Sequence, residues 1–80
     1  MRLPRDPSGR ALAQALSDFV DSVSRQSASH LRLTTQRHGE HHITVPAQAQ
    51  LRVGTLAAIP DEVAKHAGID RSAFAAYLFG

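Results

Sequence analysis

No cysteine occurs in the 80 residues, so a disulfide, a zinc–thiolate centre and a thiol nucleophile are all excluded, and a reducing cytoplasm is the expected setting. Tryptophan is absent as well. The few aromatics, Phe19, Phe74, Tyr77 and Phe79, fall on helix-like segments, which argues against a base-stacking platform built on strands. No apolar run approaches membrane-spanning length, and the opening MRLPRDPSGR has no apolar h-region, so neither a membrane span nor a secretory signal is expected. P-loop, G-x-G-x-x-G, G-x-S-x-G and H-E-x-x-H patterns are all missing, which removes the usual nucleotide, α/β-hydrolase and zinc-protease signatures. A chain this short buries only roughly 60–65 % of its unfolded surface. One domain, residues 1–80, is therefore expected, with any active site on the surface or in a shallow groove.

What the chain does have is arginine and histidine. Eight of the nine basic residues are arginine and the sequence pI is about 9.9 although the formal charge is only +2; planar guanidinium groups suit phosphate better than solubility alone requires. Five histidines supply imidazoles able to exchange protons near neutral pH.

Residues 1–7, basic and carrying two prolines, read as an extended N-terminal arm. Ser8 is a candidate N-cap, and Leu12, Ala15, Leu16 and Phe19 follow at the spacing of one helical face, which predicts a helix over 9–19. Weak alternation from Val20 to Arg25 fits a short strand or a loop. After the turn Ser27-Ala28-Ser29, Leu31 and Leu33 alternate with His30, Arg32 and Thr34, so the leucines turn inward and the other three share an exposed face. A glycine-centred turn over 36–40 leads to a strand from His41 to Val45 that Pro46 ends. There His41, Ile43 and Val45 point one way, while His42 and Thr44 join the His30 face. Residues 47–54 read as a connection, with Leu51 and Val53 plugging the core. Thr55 is a candidate cap for a second helix. Pro60 lies inside that pattern, so either residues 55–59 form a separate turn and the main helix begins at Pro60, or one helix runs through with a kink. Gly68 ends the helix as a left-handed cap, and Asp70 opens a last short helix over 71–78, with Phe74, Tyr77 and Leu78 on its apolar side. The order predicts an α+β fold with helices on one face of a three-stranded antiparallel sheet and the other face open.

His30 is the leading candidate for chemistry, because an exposed imidazole between Ser29 and Arg32 can move a proton while the arginine holds an anion. On these residues alone a solvated strand histidine is the commoner reading. His38, His41 and His42 bring no metal site: alternation separates His41 from His42, and no carboxylate trio completes a ligand set. Glu40 reads as a solubilising turn residue and His66 as a helix C-terminal cation. Arg25, Arg32, Arg37 and Arg52, on or beside the sheet, could together form a phosphate-binding surface.

From Leu3 to Leu78 the sequence resembles the HicA (YcfA-like) family of toxin endoribonucleases. The resemblance rests on LPRDPSGRALAQAL, VSRQSASHLRLTT, HHITVP, LRVGTLAAI and DEVAKHAGID, in the family's order and spacing. It implies a double-stranded-RNA-binding-domain-like α-β-β-β-α fold, and cleavage of mRNA by one histidine without a metal or other cofactor. The catalytic histidine falls on His30, in Ala28-Ser29-His30 where the family has Gly-Ser-His, and Arg25, Ser29, Arg32 and Arg37 become the RNA-binding candidates. It implies as partners mRNA and a HicB-like antitoxin covering the His30 face, with the toxin monomeric alone and hetero-oligomeric with its inhibitor. Val20-Asp21, Ala28 and Pro60 depart from the family pattern, standing for a Gly-aromatic pair, a glycine and an aliphatic residue. A non-catalytic RNA-binding module and an antitoxin-binding domain without RNA function are the alternatives on the same fold.

Overall fold

The computed structural model describes residues 3, 6–36 and 39–79. Ser8, in extended conformation (φ −74°, ψ 164°), accepts the Ala11 N–H through its hydroxyl at 3.0 Å and so starts helix α1, Gly9–Leu16. Its buried face is Leu12, Ala13, Ala15 and Leu16. The next three residues, Ser17–Phe19, tighten into a 3-10 turn, so the helix expected over 9–19 is completed by this change of pitch.

Strand β1, Ser22–Ser27, begins two residues later than the alternation predicts. The cause is Asp21. Its N–H donates to the Thr34 carbonyl at 2.8 Å, while its carboxylate accepts the Gln36 N–H, so Val20-Asp21 forms the corner and pairing starts after it. Strands β2, His30–Thr35, and β3, His41–Pro46, complete an antiparallel sheet in the order β1-β2-β3. Register pairs Leu33 with Ile43 and Leu31 with Val45, and it pairs Arg32 with Thr44 and Thr34 with His42. One face therefore carries Leu33, Ile43 and Val45 into the core, and the opposite face carries His30, Arg32, Thr34, His42 and Thr44, as the period of two predicts.

Helix α2, Val53–Ala67, runs uninterrupted through Pro60. Thr55 does not cap it. The helix begins three residues earlier, with Arg52 as an N-cap that makes no side-chain bond and whose carbonyl accepts the Leu56 N–H at 2.9 Å, and Thr55 falls inside the first turn. Val53, expected in the core, is 84 % exposed at this start. Pro60 has no N–H to offer the Leu56 carbonyl, a defect of about 3 kcal/mol in a free helix. Burial of Ile59, Pro60, Val63 and Ala64 on one side offsets it. Gly68 takes the left-handed conformation (φ 71°) that a helix end requires, and Asp70 caps helix α3, Arg71–Phe79, by accepting the Ala73 N–H at 3.0 Å.

The core gathers Leu12, Leu16, Leu33, Val45, Val63 and Leu78, each at most 1 % exposed, between the helices and one side of the sheet. Phe19 stands edge-on to Phe74 at 4.8 Å and to Tyr77 at 5.5 Å, although Tyr77 itself stays 43 % exposed. The N-terminal arm joins this core. Leu3 and Pro7 are buried, and the Leu3 N–H donates to the Leu78 carbonyl. Among the described residues no helix is long and apolar enough to cross a membrane.

Candidate functional site on the open sheet face

The turn Ala28-Ser29 joins β1 to β2 and is closed by the pair Ser27↔His30. Between Arg25, which faces Leu31, and Ser27 the register shifts, so Gln26 is an extra residue on the edge strand. Such a bulge twists a hairpin end and re-aims its side chains. It sets Ser27 opposite His30 at the tip. The result is a small polar cluster: His30 Nδ1 lies 3.0 Å from the Ser29 hydroxyl and 3.2 Å from the Ser27 hydroxyl, and the Ser29 N–H donates to the Ser27 hydroxyl at 3.4 Å. With Nδ1 engaged by two hydroxyls, Nε2 has no hydrogen-bond partner among the described residues, and the residue is exposed. An imidazole held through one nitrogen and open at the other can take up or release a proton at a defined position.

Beyond the β2–β3 ladder, the hairpin tip is tied to the rest of the fold by a backbone bond from the Ala47 N–H to the Ser29 carbonyl at 2.8 Å. Pro46, paired with His30, in turn packs on the start of α1 at Gly9, where a Cβ would come within 2.8 Å of the Pro46 carbonyl carbon. Pro46 and Ala47 thus join the end of β3 both to the start of α1 and to the turn before His30.

Arg32 follows His30 on the same face, in the central strand between Ser24 and Thr44. It is half-buried, and its Nε is fully enclosed without a partner among the described residues. Over it the Thr44 hydroxyl donates to the Gln26 side-chain carbonyl at 3.1 Å, linking the two edge strands across the middle one. Farther along, His42 is held by Thr34, whose hydroxyl lies 3.0 Å from Nδ1, and by Glu40, whose carboxylate lies 3.4 Å from Nε2.

Of the expected site residues, the sheet thus brings together His30, Ser29 and Arg32. It does not bring Arg25 beside Arg32. Arg25 pairs with Leu31 and so lies on the helix side of an exposed edge strand. Arg37 and His38 lie outside the described residues. Arg52 stands at the N-terminus of α2. Glu40, read as a solubilising charge, is exposed, yet it also meets His42 and the Gln36 amide. Sequence reasoning places Thr44 on this face and Ser27 in the turn but gives neither a role in the site, and it does not reach Gln26. Ser27 was legible, since it flanks the same turn as Ser29, whereas Gln26 reaches the site only through a bulge that no alternation reveals.

A second polar cluster lies on the helix side of the sheet. His41 Nε2 is 2.6 Å from a Glu62 carboxylate oxygen, and the His41 ring stacks on His66 at 3.7 Å and 21°. Of the histidines weighed for metal binding, His41 and His42 stand on opposite faces of β3, and His41 groups instead with Glu62 and His66.

Comparison with family models, with curated proteins and with solved structures finds no match for this chain.

Proposed function

We propose that this chain is a HicA-like toxin endoribonuclease that cleaves mRNA in the cytoplasm through His30. The observation that supports the reading is the anchored but open imidazole of His30 on the same uncovered face as Arg32. RNA carries its own nucleophile, so the protein has to supply only proton transfer and charge neutralisation. His30 Nε2 takes the proton of a 2′-hydroxyl as its oxygen bonds to the adjacent phosphorus. The bond from phosphorus to the 5′-oxygen breaks, and the imidazolium returns the proton to that oxygen. The products are a 2′,3′-cyclic phosphate and a free 5′-hydroxyl, with no proton gained or lost overall.

Arg32 sits one pleat, about 7 Å, from His30 along the strand. That is within reach of the scissile phosphate or its neighbour for a long guanidinium side chain. Ser27 and Ser29 hold the imidazole, and Ser29 also offers its hydroxyl to a phosphate oxygen. Arg25 and Arg37 contribute to binding the RNA backbone around the sheet edge and the second hairpin. A HicB-like antitoxin would inhibit by covering this face, converting a monomeric toxin into a hetero-oligomer.

Incubating the purified chain with a single-stranded transcript tests the proposal. Cleavage leaving 2′,3′-cyclic phosphate ends, lost in His30→Ala and in a substrate with 2′-deoxyribose at the cut, is the expected result. Equal cutting by His30→Ala would overturn the role of His30. Salt-sensitive RNA binding without cleavage would replace the enzyme by a binding module.

A further inference from the structure

We propose that His41, Glu62 and His66 form a binding site for a divalent transition-metal ion of the zinc class. Each side chain offers one ligand atom, and the three atoms all lie within 4.8 Å of one another. Two imidazoles and a carboxylate are a donor set that suits zinc, and three protein ligands leave a fourth position for water. In a tetrahedral site with bonds of about 2.0–2.1 Å, donor atoms sit roughly 3.3 Å apart. The widest pair therefore has to close by at most about 1.5 Å, which rotation of partly exposed side chains supplies.

The positions of the three are set by rigid elements. His41 is fixed in the ladder by its pairing with Thr35 and shares the core-facing side of β3 with Ile43 and Val45. Glu62 and His66 are separated by four residues, so they share one face of α2, beside the buried Val63. Without an ion the trio settles into the contacts seen here. Glu62 accepts a hydrogen bond from His41 Nε2, and the two rings stack. Stacked rings hold their lone pairs in nearly parallel planes, whereas a metal bond lies in the plane of the imidazole. Binding has to fan the rings apart and replace the His41–Glu62 hydrogen bond by bonds from both groups to the ion. The expected signature is therefore a change at both histidine rings.

The site is separate from His30. It lies on the opposite face and at the far end of β2, five residue pairs away, about 17 Å along the strands. An ion here would join β3 to α2 in a domain that has no disulfide to cross-link it.

Isothermal titration of the full-length chain, stripped with EDTA and dialysed, with ZnCl2 tests the site, with CoCl2 as a spectroscopic probe. The expected result is one Zn2+ per chain, a rise in melting temperature, shifted His41 and His66 ring resonances, and a cobalt spectrum of low coordination number. Glu62→Gln and His66→Gln should each weaken zinc at least about tenfold, while His30→Ala leaves it unchanged. Zinc affinity unaltered in both Glu62→Gln and His66→Gln, with each variant shown to be folded by circular dichroism, would overturn the proposal, as would no saturable binding at millimolar zinc. RNA cleavage plays no part in this readout, so failure of either proposal leaves the other standing.

Discussion

Replacing Gly9 with alanine should destabilise the fold, although the same change in an exposed helix normally stabilises. Alanine gains at most about 1 kcal/mol in helix propensity over glycine. At Gly9 the new methyl would overlap the Pro46 carbonyl oxygen and come within 2.8 Å of its carbon and 3.1 Å of the Ala47 Cα. These are backbone atoms and cannot rotate away. Relief requires α1 to move off the end of β3, and that strains the Gly9 N–H bond to the Gln48 carbonyl (2.9 Å) and the Leu51 N–H bond to the Pro7 carbonyl (3.1 Å). Overpacking of this kind costs about 1–3 kcal/mol, and each weakened bond adds up to about 1 kcal/mol. Set against the propensity gain, the net loss is about 1–3 kcal/mol, or roughly 5–20 °C in melting temperature for a domain of this size. Thermal and urea denaturation followed by circular dichroism measure it. A melting temperature equal to or above that of the wild type would refute the argument, because it would mean that α1 and Pro46 do not meet as closely as the geometry requires.

Pro60→Ala restores an N–H for the Leu56 carbonyl at mid-helix, and after the loss of proline's rigidity in the unfolded chain it should stabilise by about 1 kcal/mol, read as a higher denaturation midpoint. A lower midpoint would show that the buried proline ring matters more as packing than as a helix defect. Leu33→Ala empties a site with no exposed surface at the centre of the sheet and should cost about 2–5 kcal/mol; a loss below about 1 kcal/mol would remove Leu33 from the core. Asp21→Ala removes the acceptor of the Gln36 N–H and should cost about 1 kcal/mol in the same assay, an unchanged midpoint counting against the corner. Hydrogen exchange should find the β1 amides far less protected than those between β2 and β3, because all six β1 residues are exposed; equal protection along the whole sheet would contradict it.

Much of this fold is legible in the sequence because the signals are local. Alternation of Leu31 and Leu33 with His30, Arg32 and Thr34 assigns both faces of β2, and the same period places His41, Ile43 and Val45 together. Ser8, Gly68 and Asp70 announce helix ends through side-chain or backbone chemistry confined to a turn. The start of β1 is not legible, since none of its residues is buried and Asp21 sets the corner through Gln36, fifteen residues away. Thr55 misleads because the connection from Leu51, bonded to Pro7, brings the chain into helical geometry early. Pro60 leaves two readings open until packing of Ile59 and Val63 on either side of it chooses one helix. The His41, Glu62 and His66 cluster has no sequence signature, because it exists only once α2 lies across β3, joining residues 21 apart.

His30 and the stability of the domain are mechanically linked, and this bears on how any loss of activity is to be read. The imidazole stands on a hairpin whose first strand adds nothing to the core, so its position depends on the β1–β2 ladder and on the Ala47–Ser29 bond. That bond starts one residue beyond Pro46, and Pro46 is held by Gly9 at the helix on the other side of the sheet. On the proposed reading a substitution at Gly9 or Pro46 lowers the melting temperature, and lowers turnover only as the domain begins to unfold. On the same reading His30→Ala lowers turnover alone, because an exposed residue bonded, among the described residues, to two turn serines carries little of the folding energy. Comparing the two classes of variant at a temperature where all are folded separates an imidazole that moves a proton from one that merely occupies the tip of a strand. If Gly9→Ala then retains normal turnover while His30→Ala has none, the chemistry belongs to the imidazole and the linkage acts only through stability.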